Sequence, residues 1–480
     1  MTGMRQAQRT SGVGVAVIAL CLVQFVDVLG VTVVVTALPD MLASLPAPGS
    51  YASLIATGYA MFFGGLLMLG ARLGDRFGHR RTILVSLLVF AVGAVVGATA
   101  SSIVALMAGR CLQGAAAAGS VPSALRLLTT VTAEGPARRR AIAMWSAAGA
   151  AAGASGFVVG GIVTDLASWR FVFWGYLPLA AGLAAAIMWS VPRDRDADPA
   201  RSLNLAGSAA FTAAVMAFVV GTTLITQPAR RIDGGLLLAV CVVLAGAFVF
   251  IDRRAAAPLL PPRLLGYARL RQGAGGSLLN TATTSSALTL VTLYLQNTLR
   301  RSPLEAAATL LPFSLAVIGG ASLSAALLRR YRPQLVVALG LTGIAAADLA
   351  LIPSAGAPLA VAACAAVAGA GIGVSSVATT GLGTDVETYW RGSASGIINT
   401  ASQLGTAIGI AVLLLIAAAT TGTPAPGIPA PAIAWAVAAA VAAAGAVFFA
   451  MASQRSRSPM TSGSVAGSTE LVPARPDHDP

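Results

Sequence analysis

Two ionisable side chains lie deep inside long apolar runs, Asp27 within residues 13–38 and Arg110 within residues 103–128. An ionised carboxylate at mid-membrane costs roughly 2.5–3.5 kcal/mol on insertion scales, and removal from water disfavours its charged form. Asp27 is therefore suited to taking up and releasing a proton rather than to making covalent bonds. A guanidinium keeps its proton at any usable pH, so inside a membrane helix Arg110 must face a cavity or a partner. A cation close to Asp27 favours the carboxylate, and Arg110 is expected to tune the proton exchange. Polar side chains gather again at Asn280, Thr281, Thr283, Thr284, Ser285, Ser286, Thr289, Thr292 and Gln296. Such a segment suits a water-filled path, with Asn280, Thr284 and Gln296 as candidates to touch a passenger molecule. The alternative is that these hydroxyls bond their own helix backbone, which membrane helices tolerate.

Other motifs carry geometry rather than proton chemistry. GARLGDRFGHRR, residues 70–81, reads as a tight turn between two helices: Gly78 permits the turn, and Asp75 favours the positive end of the helix that follows. Its arginines, Arg76, Arg80 and Arg81, can bond carboxylates or helix C-termini in one arrangement of two lobes. AAGAAAGASGFVVGG, residues 147–161, spaces Gly149 from Gly153 and Gly156 from Gly160 by four residues, with Gly161 next to the last. Small residues at that interval let helices approach closely.

The elements that must hold these residues follow from composition. Of the 480 residues, 56% are hydrophobic and only 10% charged, with mean hydropathy +0.81. A soluble chain carries about 25% charged residues, so this one cannot cover a water-facing surface and the bilayer is its solvent. Apolar segments fall at 13–38, 51–71, 82–100, 103–128, 141–164, 171–191, 205–226, 233–251, 274–297, 304–328, 334–353, 357–380, 393–418 and 431–452. Backbone groups in hydrocarbon must be bonded internally, so these are helices. All 31 basic residues are arginine, and they set the orientation. With both termini in the cytoplasm, only Arg170, Arg230, Arg231, Arg300 and Arg301 lie outside and Arg110 lies within a span, as the positive-inside rule requires. That placement in short loops argues against nucleic-acid binding. Cys21, Cys111, Cys241 and Cys364 sit singly in apolar runs and read as small core residues, and no cluster suited to a metal is visible.

The motifs together resemble the 14-helix drug–proton antiporters of the major facilitator superfamily, from about residue 13 to 450. Leu73, Asp75, Arg76, Gly78, Arg80 and Arg81 match the superfamily's loop signature, with Ala71 in place of its first glycine. Arg110, Gln113 and Gly114 match its RxxQG motif in helix 4. Gly156, Gly160 and Gly161 match the glycines of its antiporter motif GPxxGG, whose proline is replaced by Phe157. The end of helix 1 is similar to LDxTxVNxALP at Thr32, Ala37, Leu38 and Pro39. The family's aspartate position is Gly30 here, and Asp27, one turn earlier on the same face, is the displaced acid. SWRFVFWGYLP at 168–178, YLQNTLRRSPLEAAATLLP at 294–312 and RGSASGIINTASQLGTAIGIAV at 391–412 resemble further family segments.

The resemblance implies an all-α membrane protein of major facilitator fold: two six-helix lobes plus two extra central helices, 14 transmembrane helices in all. Its parts would be a cytoplasmic N-terminus (1–12), a first lobe (13–191), a cytoplasmic linker (192–204), the extra pair (205–251), a second linker (252–273), a second lobe (274–452) and a disordered cytoplasmic tail (453–480). Helices 1, 4, 9 and 12 would line a cavity between lobes. The function implied is proton-coupled efflux of an amphipathic organic compound such as a drug or antibiotic, across a bacterial inner membrane. The chain would act as a monomer without cofactor, the proton gradient being its energy source. An importer or uniporter of a small organic solute is the alternative, supported by Phe157 and Gly30. An enzyme is not expected, since no catalytic motif stands within a span. Asp348, near the outer end of helix 11, is expected to snorkel to the interface. Asp385 and Glu387 are expected as gate or surface charges.

Overall fold

Helices of membrane length form because the apolar runs are long, and they end where glycine, proline or a capping hydroxyl interrupts them. The computed structural model describes residues 2–45, 51–193, 202–387, 390–420 and 431–455. The connector at 421–430, the middle of the linker at 194–201 and the tail beyond 455 fall outside the described residues. Within them the long helices are α1 (Thr2–Ser44), α2 (Ala52–Phe77), α3 (His79–Ala98), α4 (Ile103–Val131), α5 (Pro136–Leu166), α6 (Trp169–Ser190), α7 (Leu205–Ile225), α8 (Arg231–Arg254), α9 (Ala268–Leu293), α10 (Pro303–Leu327), α11 (Pro333–Ser354), α12 (Pro358–Gly383), α13 (Arg391–Thr420) and α14 (Ala432–Arg455). Each apolar segment of the sequence falls on one of them. Gly78 takes φ 97° between α2 and α3, the conformation that the tight turn demands of it. Ser102 caps α4, Ser168 caps α6, and Ser302 with Glu305 forms a capping box at α10.

Twelve of these helices are long and apolar enough to cross a membrane. The two outside that set are α4 and α9, of 29 and 26 residues. They have the length, since about 20 residues span the hydrocarbon core, but they carry Arg110 and Gln113, or the run of Asn, Thr and Ser, into it. Both are shielded by neighbours: α4 packs on α2 and α3, and α9 on α12 and α13.

The packing repeats. In α1–α6 the pairs are α1 with α5, α2 with α4, α3 with α4 and α3 with α6. Adding eight to each label gives the pairs of the second lobe, α9 with α13, α10 with α12, α11 with α12 and α11 with α14. The extra pair, α7 and α8, pack on each other, and α7 leans on both α2 and α13. The lobes meet along α2–α13 and α5–α10. A single buried core fills the first lobe, from Leu20 and Leu38 to Phe173 and Ile187. The second lobe divides into smaller clusters, one around Trp435, one around Phe449 and one around Ile397 and Ile398 at the start of α13.

Candidate functional site: a buried polar chamber in the first lobe

Asp27 projects from α1 into the first lobe and is only 4% exposed. The Ser120 hydroxyl of α4 donates to its Oδ2 at 3.0 Å, and the Tyr59 phenol of α2 donates to its backbone carbonyl at 2.9 Å. Arg110 is fully buried. Its Nη1 donates to the Gly30 carbonyl at 2.6 Å, and its guanidinium lies 5.0 Å from the centre of the Tyr59 ring, where a cation–π attraction acts. Nε and Nη2 of Arg110 have no hydrogen-bond partner, nor has the buried Tyr176 hydroxyl. A Cβ on Gly30 would stand 3.3 Å from the Tyr59 ring and 3.8 Å from that hydroxyl. Gly30 and Asp27 thus open into one chamber between α1, α2 and α4.

Arg110 is placed to hold α1 at Gly30. Among the described residues no ion pair joins it to Asp27. The guanidinium instead holds the α1 backbone one turn further on and faces the ring whose hydroxyl holds Asp27. Tyr59, Ser120 and Tyr176 were not singled out in the sequence. Ser120 had a signal: with Arg110, Gln113 and Ala117 it continues one face at steps of three, seven and ten residues. Tyr59 and Tyr176 stand in ordinary apolar runs and had none.

Gln113 is fully buried with neither amide atom bonded, and Gly114 is a contact residue: a Cβ there would strike the Tyr59 carbonyl. On α5, Gly149 faces Gln24, Gly153 faces Val28, Gly156 faces Thr32 and Gly160 faces the Val33 carbonyl, so this row seats α1. Gly161 turns the other way, and a Cβ there would lie 2.6 Å from Ala307 of α10 in the second lobe. Phe157, at the motif's proline position, packs edge-on against Phe313 of α10 with centroids 6.3 Å apart. The Thr36 hydroxyl donates to the Phe157 carbonyl at 3.3 Å.

In the hinge, Asp75 lies in the last turn of α2, and its Oδ1 is 3.4 Å from His79 Nε2 at the first residue of α3. Arg76 stacks beside Phe77. Arg80 donates to the Met188 carbonyl near the end of α6 at 2.6 Å, within its own lobe, and Arg81 is exposed. Arg72 reaches outside the lobe, with 2.6 Å bonds to the carbonyls of both Ala257 and Pro258 in the segment between α8 and α9.

In the second lobe Asn280 and Thr284 are each 1% exposed, facing protein rather than an open cavity. Asn280 donates to Ser376 of α12 at 2.8 Å, while Asn280 Oδ1 and Thr284 Oγ1 have no partner. Thr283, Ser286, Thr289 and Thr292 bond their own helix backbone, the plainer of the two readings. Gln296 lies in a π-helical turn, Tyr294–Thr298, that continues α9. Its Nε2 crosses to the Thr36 carbonyl of α1 at 2.9 Å. Asp348 does not snorkel: it is 1% exposed, and its Oδ2 has no partner. Asp385 pairs with Arg269, and Glu387 accepts from Tyr267 at 3.0 Å, which pushes that phenol's pKa up. Both acids tie the start of α9 to the segment before α13.

Two repeated six-helix lobes, an acid and a guanidinium buried in one of them, and polar bonds between them from Gln296 to Thr36 and from Ser314 to Gly153 define a polytopic membrane transporter. The model of the Major Facilitator Superfamily matches residues 20–410, and the chain belongs to that superfamily. It is 33% identical over 437 residues to the cephamycin export protein CmcT of Amycolatopsis lactamdurans, covering 86% of this chain and 88% of that protein. It is 32% identical over 411 residues to the puromycin resistance protein of Streptomyces alboniger, covering 81% and 79%. A lincomycin resistance protein of Streptomyces lincolnensis is 30% identical over 349 residues, covering 72% and 70%. Among solved structures, the human organic anion transporter MFSD10 shares the fold at TM-score 0.56, with 17% identity over 91% of this chain and 99% of that one.

Proposed function

We propose that the protein is an exporter of the bacterial inner membrane that expels an amphipathic organic compound, an antibiotic in the first instance, in exchange for protons carried by Asp27. It works as a monomer, both termini lie in the cytoplasm, and the proton gradient is its energy source. The observation that carries the reading is that one helix, α1, holds both the buried acid and the inter-lobe bolt. Thr36 lies about two and a half turns beyond Asp27 and accepts from Gln296. Ionised, Asp27 holds the Ser120 hydroxyl in a charge-assisted bond; protonated, it loses the charge and much of that bond. Arg110 and Tyr59 hold the α1 backbone at Gly30 and Asp27, so the change in bonding acts on a helix that is otherwise fixed. Its far end touches the second lobe. The names of the related export and resistance proteins support the outward direction and the antibiotic class.

The conformation fits one step of that cycle. Gly153, Phe157 and Gly161 meet α10 in the half of α5 away from the arginine-rich loops, so α5 and α10 hold the lobes together on that side in this arrangement. The test is uptake of a panel of antibiotics into everted vesicles under an imposed pH gradient with the lumen acidic. Gradient-driven loading of at least one compound, lost in Asp27→Asn, is the expected result. Movement in the opposite sense would make the protein an importer instead.

A further inference from the structure

A crevice of about 480 Å³ lies away from the polar chamber, at the end of the bundle opposite the arginine-rich loops. Its walls come from three bodies: Ser53 of α2, Thr226 just past α7, the π-helical turn with Tyr294, Asn297 and Thr298, and Leu414 of α13. Both lobes and the extra helix pair therefore contribute. The volume is that of a site for a drug-sized molecule. The described lining includes no charged side chain; leucines and alanines make its body, with hydroxyls and amides from the end of α7 and from the π turn. The π turn gives the crevice its significance. Such turns concentrate at functional positions, and this one points Tyr294, Asn297 and Thr298 into the crevice while Gln296 reaches the Thr36 carbonyl in the other lobe.

We propose that this crevice is a regulatory site for an uncharged amphiphile with an apolar body and a hydroxyl or carbonyl head, and that its occupancy holds the Gln296–Thr36 bolt shut. The chemistry follows from the lining: apolar side chains bury the body, and Asn297 and Thr298 offer uncharged hydrogen bonds. An ionised head would be left there without a counter-charge. The coupling follows from the walls. Rocking of the lobes separates α2 from α9 and changes the crevice, so a ligand that fits it binds this arrangement better than the other and shifts the population toward it. The site is distinct from Asp27 and its test does not use transport, so it stands or falls apart from the efflux reading.

The experiment uses the full chain in lipid nanodiscs and a diazirine-bearing long-chain alcohol as probe. Photolysis followed by peptide mapping is expected to place adducts on the peptides holding Thr226 and Tyr294–Thr298. Ala418→Trp, which fills the crevice from an exposed position in its lining, lowers that labelling by about tenfold, the loss expected for about 1.4 kcal/mol. Asn297→Leu, which keeps the volume and removes the amide, lowers it less. A diazirine phospholipid, whose head is charged, labels the rim and not the interior. In hydrogen exchange the alcohol slows the amides of Tyr294–Thr298 and of α1 around Thr36. The α1 effect disappears in Gln296→Leu while crevice labelling remains. Adducts spread evenly over the bilayer-facing helices, or labelling indifferent to both Ala418→Trp and Asn297→Leu, overturn the site. Equal labelling of the interior by the phospholipid overturns its preference for an uncharged head. Labelling without slower exchange at Thr36 overturns the coupling.

Discussion

At the scale of the residue, the acid and the guanidinium act through intermediaries. Tyr59 stands between them, its ring facing Arg110 and its hydroxyl bound to the Asp27 carbonyl. Tyr59→Phe keeps the ring and removes one buried hydrogen bond, about 0.5–1.5 kcal/mol net. We expect gradient-driven transport to fall several-fold while the protein remains folded and inserted, measured as initial efflux rate against amount in the membrane. Asp27→Asn keeps an acceptor for Ser120 but cannot titrate. Substrate exchange at equal pH should then persist while response to a pH gradient disappears and the pH profile becomes flat. Gly30→Asp in that background places a carboxylate toward the Tyr176 hydroxyl and beside the unpartnered Arg110 nitrogens, and should restore part of the gradient response. Full gradient-driven transport by Asp27→Asn alone would assign the proton elsewhere.

At the scale of the element, α5 is a spacer with two faces. Gly156 and Gly160 bring it against Thr32 and Val33 of α1, and Gly161 brings it against Ala307 of α10. Overpacking a close contact costs about 1–3 kcal/mol, but the two faces should fail differently. Gly160→Leu forces α1 and α5 apart inside one lobe and should lower thermal stability and yield in the membrane. Gly161→Leu wedges the lobes apart and should leave the lobe intact while shifting the population away from the closed arrangement. Thermal unfolding in detergent separates the first effect, and accessibility of a cysteine placed at Thr36 reports the second. Equal loss of stability in both variants would show that the lobes fold as one unit.

At the scale of the whole molecule, the extra pair and the segment after it touch both lobes, α7 leaning on α2 and on α13. Arg72 of α2 grips the Ala257 and Pro258 carbonyls in the segment leading to the second lobe, a bond that a guanidinium makes with two parallel donors. Arg72→Lys loses that fork. We expect transport to change more than insertion does, read as turnover per molecule in proteoliposomes; unchanged turnover would make the contact incidental. Reporter fusions test the orientation. A fusion after Ser453 should report from the cytoplasm, and one in the connector at 421–430 from outside.

Much of this molecule is written in local sequence. The helices, their number and their order follow from apolar runs, because a backbone in hydrocarbon has no alternative partner to itself. The buried acid and guanidinium were legible for the same reason, since a charge in such a run is costly enough to imply a role. What the residues touch was not legible. Asp27 and Arg110 are 83 positions apart by their numbers, and only the packing of α1, α2 and α4 shows that Tyr59 and the Gly30 carbonyl come between them. Gln296 stood among the candidates to touch a passenger molecule, and only the π turn shows that it reaches Thr36 of the other lobe. Asp348 looked free to reach water, and its neighbours closed over it. Composition and periodicity fix which groups must be inside, because burial is a property of the segment. Which inside group meets which is a property of helix rotation and crossing, and these are set by side chains distant in sequence that only the folded chain brings together.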